Sequence, residues 1–301
     1  MSRRRWWLIG GVVAVVIAAV AGVLIWQTSS RPPTAEEATT AYLRALESGD
    51  AAAIEATGIE VSTIAVDAFA DAEELIDDAE VSAVAESDDG SATADVAFRL
   101  GGEEQTAQLR LSMVDGRWTV DSSALGTMTP TATVGAFIGI GDASFPVGEG
   151  AALLPAGYTI SAAPASLLDG ESTALVLPGE PADVALEVVL RPEATDAAQD
   201  QLDAHLETCT APAQAAPEGC GIRIPWGTEF RAVSDIRYRI EQTPTVTLTA
   251  TRFSADGGVL VSTVTGTGQD GAARTTTYRT ESWSVRGDIA FTADGLELTP
   301  W

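Results

Sequence analysis

Residues 91–120 read SATADVAFRLGGEEQTAQLRLSMVDGRWTV. Val96, Phe98 and Leu100 alternate with polar positions as far as Gly101 and Gly102. Ala107, Leu109, Leu111 and Met113 alternate again as far as Asp115 and Gly116, and Trp118 and Val120 continue the period. Successive side chains of a strand point to opposite faces, so a period of two marks strands with one buried face. Glycines at the breaks supply the positive φ that tight hairpin turns need. Residues 79–87, which run to Asp89 and Gly90, add a strand upstream. Together these segments predict a four-stranded antiparallel meander.

Upstream of the meander the period changes to that of a helix. Thr34 and Glu37 are spaced as a capping box, and Ala38, Ala41, Tyr42, Ala45 and Leu46 follow at helical intervals up to Gly49. Asp50 caps a second short helix with Ala53, Ile54 and Ala56 inside and Gly58 at its end. Residues 66–78, VDAFADAEELIDD, predict a further acidic helix with Val66, Phe69, Ala70, Leu75 and Ile76 on its apolar side. Helices followed by a meander predict an α+β domain over 34–124.

Downstream, 128–191 carries alternating apolar positions (Val134 to Ile140, Val184 to Leu190) and predicts a β-sandwich-like module. Residues 193–301 predict a helix with Ala198, Leu202, Leu206 and Cys209 on one face, then a mainly antiparallel sheet. Its strands fall near 230–240, 245–253, 258–266 and 273–286, separated by glycine turns such as Asp256, Gly257 and Gly258. Trp118 and Trp283 each begin a Trp-x-Val triplet within a helix-then-meander order.

At the other end of the chain, residues 6–26 read WWLIGGVVAVVIAAVAGVLIW, with no charge or amide among them. At ~1.5 Å per residue this run spans about 31 Å, a bilayer's hydrocarbon thickness. Trp6, Trp7 and Trp26 sit at its ends as interfacial anchors. Arg3, Arg4 and Arg5 orient a tail of residues 1–5 toward the cytoplasm. The expectation is a transmembrane helix over 6–26, a linker over 27–33, and everything beyond outside the cell. The alternative is a cleaved signal peptide. The run is longer than the usual signal core, and Trp26 to Ser30 is a poor cleavage site.

Composition narrows the chemistry. Residues 31–301 hold 14 of the 17 basic residues and all 43 acids, a formal charge of −29. Such a surface repels nucleic acid and anionic headgroups. There is no lysine, which excludes a Walker-type phosphate loop, a Schiff-base lysine and a Ser-x-x-Lys acyl enzyme. The two cysteines, Cys209 and Cys220, read as one disulfide in an oxidising exterior. His205 is the only histidine, too few for a structural zinc shell, and it reads as a boundary residue of its helix. The adjacent acid pairs flank turns, and Asp88 to Asp95 lacks the spacing of a calcium loop. No catalytic set, cofactor site or metal site is expected. Trp226, in Ile224-Pro225-Trp226-Gly227 after the disulfide, is the one candidate ligand contact.

The first domain resembles the NTF2-like (cystatin-like, lumazine-binding-like) domains of bacterial envelope proteins. The resemblance covers 34–122 and rests on an Ala-x-x-Tyr-Leu-x-Ala-Leu-x-x-Gly-Asp pattern from Ala38 to Asp50 and a Gly-x-Trp-x-Val strand from Gly116 to Val120. It implies a sheet curved around helices, and a cone whose lining here, Val96, Phe98, Leu109 and Leu111, lacks a catalytic dyad. The order of anchor, this domain and a β-module with Leu154-Pro155-Ala156-Gly157-Tyr158 is similar to that of the teicoplanin-resistance-associated envelope proteins.

The resulting expectation is a single-pass protein held in the lipid bilayer, N-terminus cytoplasmic, whose exterior modules bind an envelope protein or cell-wall partner without catalysis. One alternative is an enzyme or small-ligand receptor that uses the cone, with Asp95 or Glu103 as base. Another is an envelope sensor acting through a membrane partner.

Overall fold

The meander expected between residues 79 and 121 is present in the computed structural model, which describes residues 32–211, 217–222 and 228–301. Strands β1 (Asp77–Glu86), β2 (Ser91–Leu100), β3 (Glu103–Val114) and β4 (Arg117–Val120) form one sheet in sequential order. Helices α1 (Ala35–Ser48) and α2 (Ala51–Ala56) precede it in the same unit. These elements make one compact unit: residues 32–60, 77–99 and 104–124. Its core joins Tyr42, Leu43 and Leu46 of α1 and Ile54 of α2 to the inner row Val96, Phe98, Leu109, Leu111 and Val120 of the sheet, all buried. Each such side chain contributes about 1.5–3 kcal/mol on leaving water.

The second unit comprises residues 61–76, 100–103 and 125–301. It opens with α3 (Thr63–Ala70), capped by the Ser62 side chain, which accepts from the Ala65 N–H. The helix expected over 66–78 therefore starts earlier and stops at Asp71. Its second half is extended instead, because the Glu73 and Glu74 N–H groups both donate to the Gly157 carbonyl and Gly157 N–H donates back to Glu74. Strands β5 to β13 then form small sheets. A four-stranded sheet runs β11 (Glu171–Val176), β9 (Ala156–Ala163), β6 (Phe137–Ile140), β7 (Ala143–Pro146). A three-stranded one runs β12 (Pro181–Leu186), β5 (Gly126–Ala132), β8 (Ala151–Leu153), with β12 and β5 parallel. Strands β10 (Leu168–Asp169) and β13 (Val189–Leu190) make a short pair.

The last part of this unit is α4 (Pro192–Cys209) followed by a five-stranded antiparallel sheet. The strands are β14 (Phe230–Gln242), β15 (Thr245–Leu248), β16 (Arg252–Gly268), β17 (Ala273–Phe291) and β18 (Leu296–Pro300). Helix α4 packs against β15 and β18 through Ala194, Ala198, Leu202, Leu206 and Cys209. Residues 256–258 do not end a strand as expected. β16 runs on through a bulge there, with its register to β17 shifting on both sides of Gly258. A Cβ on Gly258 would lie 2.8 Å from the Trp283 ring, so the glycine leaves room for the tryptophan.

Two expectations are corrected. The sequence predicts a transmembrane helix followed by an α+β domain and β modules; the described fold is mostly β, with 53% of residues in strands and 19% in helices. Strands 17 and 19 residues long, together with the unwinding of 71–78, account for the shift. Among the described residues no helix is long and apolar enough to cross a membrane. The longest, α4, carries Asp196, Asp200, Asp203 and Glu207 beside its buried stripe and is amphipathic. The membrane and signal-anchor reading thus has no support in this structure. The segment it was based on, with Arg3, Arg4, Arg5, Trp6, Trp7 and Trp26, lies outside the described residues.

Candidate functional site

Within the first unit a cleft of about 770 Å³ lies between the two helices and the end of the sheet. Its geometry follows from local sequence. The capping box fixes the start of α1: Thr34 N–H donates to Glu37 Oε2 at 2.8 Å, and Glu37 N–H donates to Thr34 Oγ1 at 3.2 Å. That places Pro32, Pro33 and Glu37 at one end of the cleft, with Ala38 and Ala41 along its wall. Asp50 caps α2 by accepting from the Ala53 N–H at 3.1 Å. Ala53, Ala56 and Thr57 form the adjoining wall.

The third side is Asp115 to Thr119. Asp115 (φ 51°) and Gly116 (φ 77°) both adopt the left-handed conformation of a two-residue hairpin turn. Trp118, only 8% exposed, presents its outer edge. Thr119 donates to the Ser112 carbonyl at 3.1 Å and meets Gly58, where a Cβ would fall 2.7 Å from its methyl. Beyond β4 the chain turns at Asp121, whose carboxylate accepts from the Ser123 N–H at 2.8 Å. That bond holds the Asp121 carboxyl below the usual range.

The lining offers an apolar floor of alanines, two carboxylates (Glu37, Asp115), one guanidinium (Arg117) and the side of β4. It holds no serine, cysteine or histidine. Its two hydroxyls are spent on the backbone, Thr57 Oγ1 donating to the Ile54 carbonyl at 2.6 Å and Thr119 Oγ1 to the Ser112 carbonyl, and such a surface can bind a chain segment.

The residues singled out from the sequence are elsewhere. Cys209 and Cys220 form a disulfide at the end of α4. His205 Nε2 lies 3.1 Å from the Gly219 carbonyl, and its donor nitrogen sits within 4.8 Å of both sulfurs. The sulfurs are bonded to each other and are not metal ligands in this state. Trp283 donates from Nε1 to the Cys220 carbonyl at 2.9 Å and is buried, and Trp301 is exposed. Trp226 lies outside the described residues. Asp95 points away from the inner row of the sheet and accepts from Gln108 Nε2 at 2.9 Å; Glu103 is exposed at the start of β3.

The cleft alanines were visible in the sequence, but the expectation put them inside. Helix α1 instead buries Ala35, Thr39, Tyr42, Leu43, Ala45 and Leu46, leaving Ala41 exposed and Ala38 half-buried. Ala56 is exposed as well. Comparison of the chain with protein-family models, with curated proteins and with solved structures found no match.

Proposed function

We propose that this chain is a non-catalytic, extracytoplasmic protein of the cell envelope whose first unit binds a protein or cell-wall partner in the cleft between α1, α2 and β4. The observation that carries this reading is the cleft itself: peptide-sized, open to solvent and paved with alanine, with both of its threonine hydroxyls donating to backbone carbonyls. The inner sheet face supports the non-catalytic part, since the positions that would line an NTF2-like cone are filled by Phe98, Leu109 and Leu111, each at most 2% exposed. The helix-then-meander order of this unit is what the NTF2-like resemblance implies. The disulfide supports residence in an oxidising compartment.

A photo-crosslinking residue placed at Ala41 of the full-length protein in intact cells tests the reading. Discrete adducts from Ala41, absent from a control at exposed Arg99 on the outer sheet face, are expected. Absence of any Ala41-dependent adduct, or turnover of ester, peptide or glycan substrates by the purified protein, would overturn it.

A further inference from the structure

Strand β4 ends its sheet, and among the described residues no strand pairs with its far side. The residues that lead into it and form it, Asp115 to Thr119, line the cleft. The cleft therefore runs along a strand edge. Which backbone groups face it follows from the pairing register. Asp121 N–H donates to the Arg110 carbonyl, so Arg110 and Asp121 are a hydrogen-bonded pair. Bonded and non-bonded pairs alternate along an antiparallel ladder, and β4 pairs Thr119 with Ser112, Trp118 with Met113 and Arg117 with Val114. Arg117 and Thr119 thus spend their N–H and C=O groups on β3. Trp118 and Val120 turn theirs outward, to the side without a strand.

Exposed strand edges are usually covered or blunted by charge. Here helices stand beside the edge, but the residues they present are Ala38, Ala41, Ala53 and Ala56, too small to fill the gap. The remaining volume, about 770 Å³, lies within the ~300–1,000 Å³ range of ligand pockets. A strand of four residues is about 14 Å long at ~3.4 Å per residue. Charge then selects the occupant. The described part of this unit, residues 32–60, 77–99 and 104–124, carries sixteen acids and four arginines, and the cleft rim carries Glu37 and Asp115 against Arg117.

Resting on the reading that this cleft is the binding site, we infer that it takes an extended basic peptide of a protein partner, which adds to β4 as a fifth strand. Main-chain bonds to the outward N–H and C=O groups of Trp118 and Val120 give affinity. Alternate side chains of the peptide meet the alanine floor, where small or β-branched residues fit, and the others meet solvent and the acidic rim, where arginine or lysine fits.

The probe is a fluorescein-labelled octapeptide of alternating valine and arginine, titrated against the purified full-length protein. Saturable binding is expected, weakened at least tenfold in the valine–glutamate counterpart and at least tenfold when alternate peptide nitrogens are methylated. Amide exchange at Trp118 and Val120 slows on binding, while Arg117 and Thr119, already bonded to β3, change little. A41W and A56W, at exposed positions that leave the core intact, remove binding without altering the circular dichroism spectrum. Equal binding of the acidic and basic peptides, indifference to N-methylation, or no binding by any of them overturns the inference. If the Ala41 crosslink in cells persists in that case, the cleft binds its partner by another mode; if it is lost too, the functional reading falls with the inference.

Discussion

Tyr42 is the largest fully buried side chain of the first unit, and among the described residues its hydroxyl has no hydrogen-bond partner. Burial pushes its phenol up from the ordinary tyrosine value. An unpaired buried hydroxyl costs about 1–3 kcal/mol, so Tyr42→Phe is expected to raise stability by ~1 kcal/mol in urea unfolding, against the usual direction of core substitutions. A loss of more than ~0.5 kcal/mol would instead show that the hydroxyl is satisfied in solution. Tyr238 of β14 gives a pH counterpart. It is 6% exposed, its hydroxyl has no partner among the described residues, and desolvation pushes its pKa up to about 12. The unfolded chain releases that proton near the ordinary value of ~10. Between these values the folded protein holds a proton the unfolded chain has lost, so stability is full below pH ~10 and falls as pH rises toward 12. Tyr238→Phe should flatten that fall, measured as the difference between variant and parent stability at pH 9 and pH 11. Neither effect is legible in the sequence, because a tyrosine in an apolar stripe looks the same whether or not its hydroxyl finds a partner.

At the scale of elements, Gly258 decides how the last sheet is built. The residue allows β16 to continue past Asp256 and Gly257 and lets Trp283 of β17 lie against it, with the indole N–H held by the Cys220 carbonyl. Gly258→Val would force the ring away from both contacts. A loss of about 1–3 kcal/mol is expected, as for other overpacked sites, with a red-shifted tryptophan emission. The double variant with Trp283→Leu should recover part of that loss. A fully additive double variant would mean that the two residues do not share this contact. The same glycines explain where sequence reading failed. Asp-Gly at 115–116 and Asp-Gly-Gly at 256–258 carry one local signal, yet the first is a hairpin turn and the second a bulge. Local chemistry specifies that φ is positive; tertiary pairing decides whether the chain reverses. The period-two runs of β2 and β3 were legible because one face of each is buried and the other is not. Residues 71–78 depart from their helical pattern for a matching reason. Their helical pattern is real, but the Gly157 backbone offers Glu73 and Glu74 extended pairing that no local pattern encodes. The cleft was illegible for a third reason: alanine tolerates both core and surface, so helical phase alone did not tell Ala38 and Ala41 from Tyr42 and Leu43.

The whole molecule is dominated by its charge, 43 acids against 17 arginines and a formal net charge of −26. Ion pairs offset little of it. Glu241 bonds Arg239 at 2.7 Å and Arg279 at 2.9 Å, and Arg237 bonds Asp235 at 3.0 Å, yet these pairs lie on the exposed sheet, where each is worth at most ~1 kcal/mol. Most acids have no guanidinium to meet, because the arginines are too few. The folded chain therefore holds like charges closer together than the unfolded chain does, and that repulsion lowers its stability. Salt shortens the reach of the repulsion: the screening length falls from ~30 Å at 0.01 M to ~8 Å at 0.15 M. Raising sodium chloride over that interval at pH 7 should stabilise the protein by on the order of 1 kcal/mol, a rise in Tm of roughly 2–4 °C for a chain of this size. The gain should level off above ~0.3 M, where screening is nearly complete and only weaker ion-specific effects remain. A basic peptide in the cleft acts oppositely, since its attraction to the same field weakens as salt is added. Calorimetry with and without the valine–arginine octapeptide separates the two: the free protein's Tm climbs with salt while the increment added by the peptide shrinks. A free-protein Tm that is flat or falling across the interval would mean that the acids are spaced or paired well enough for repulsion to be no burden on the fold, and the charge argument for a basic partner would then have to rest on Glu37 and Asp115 alone.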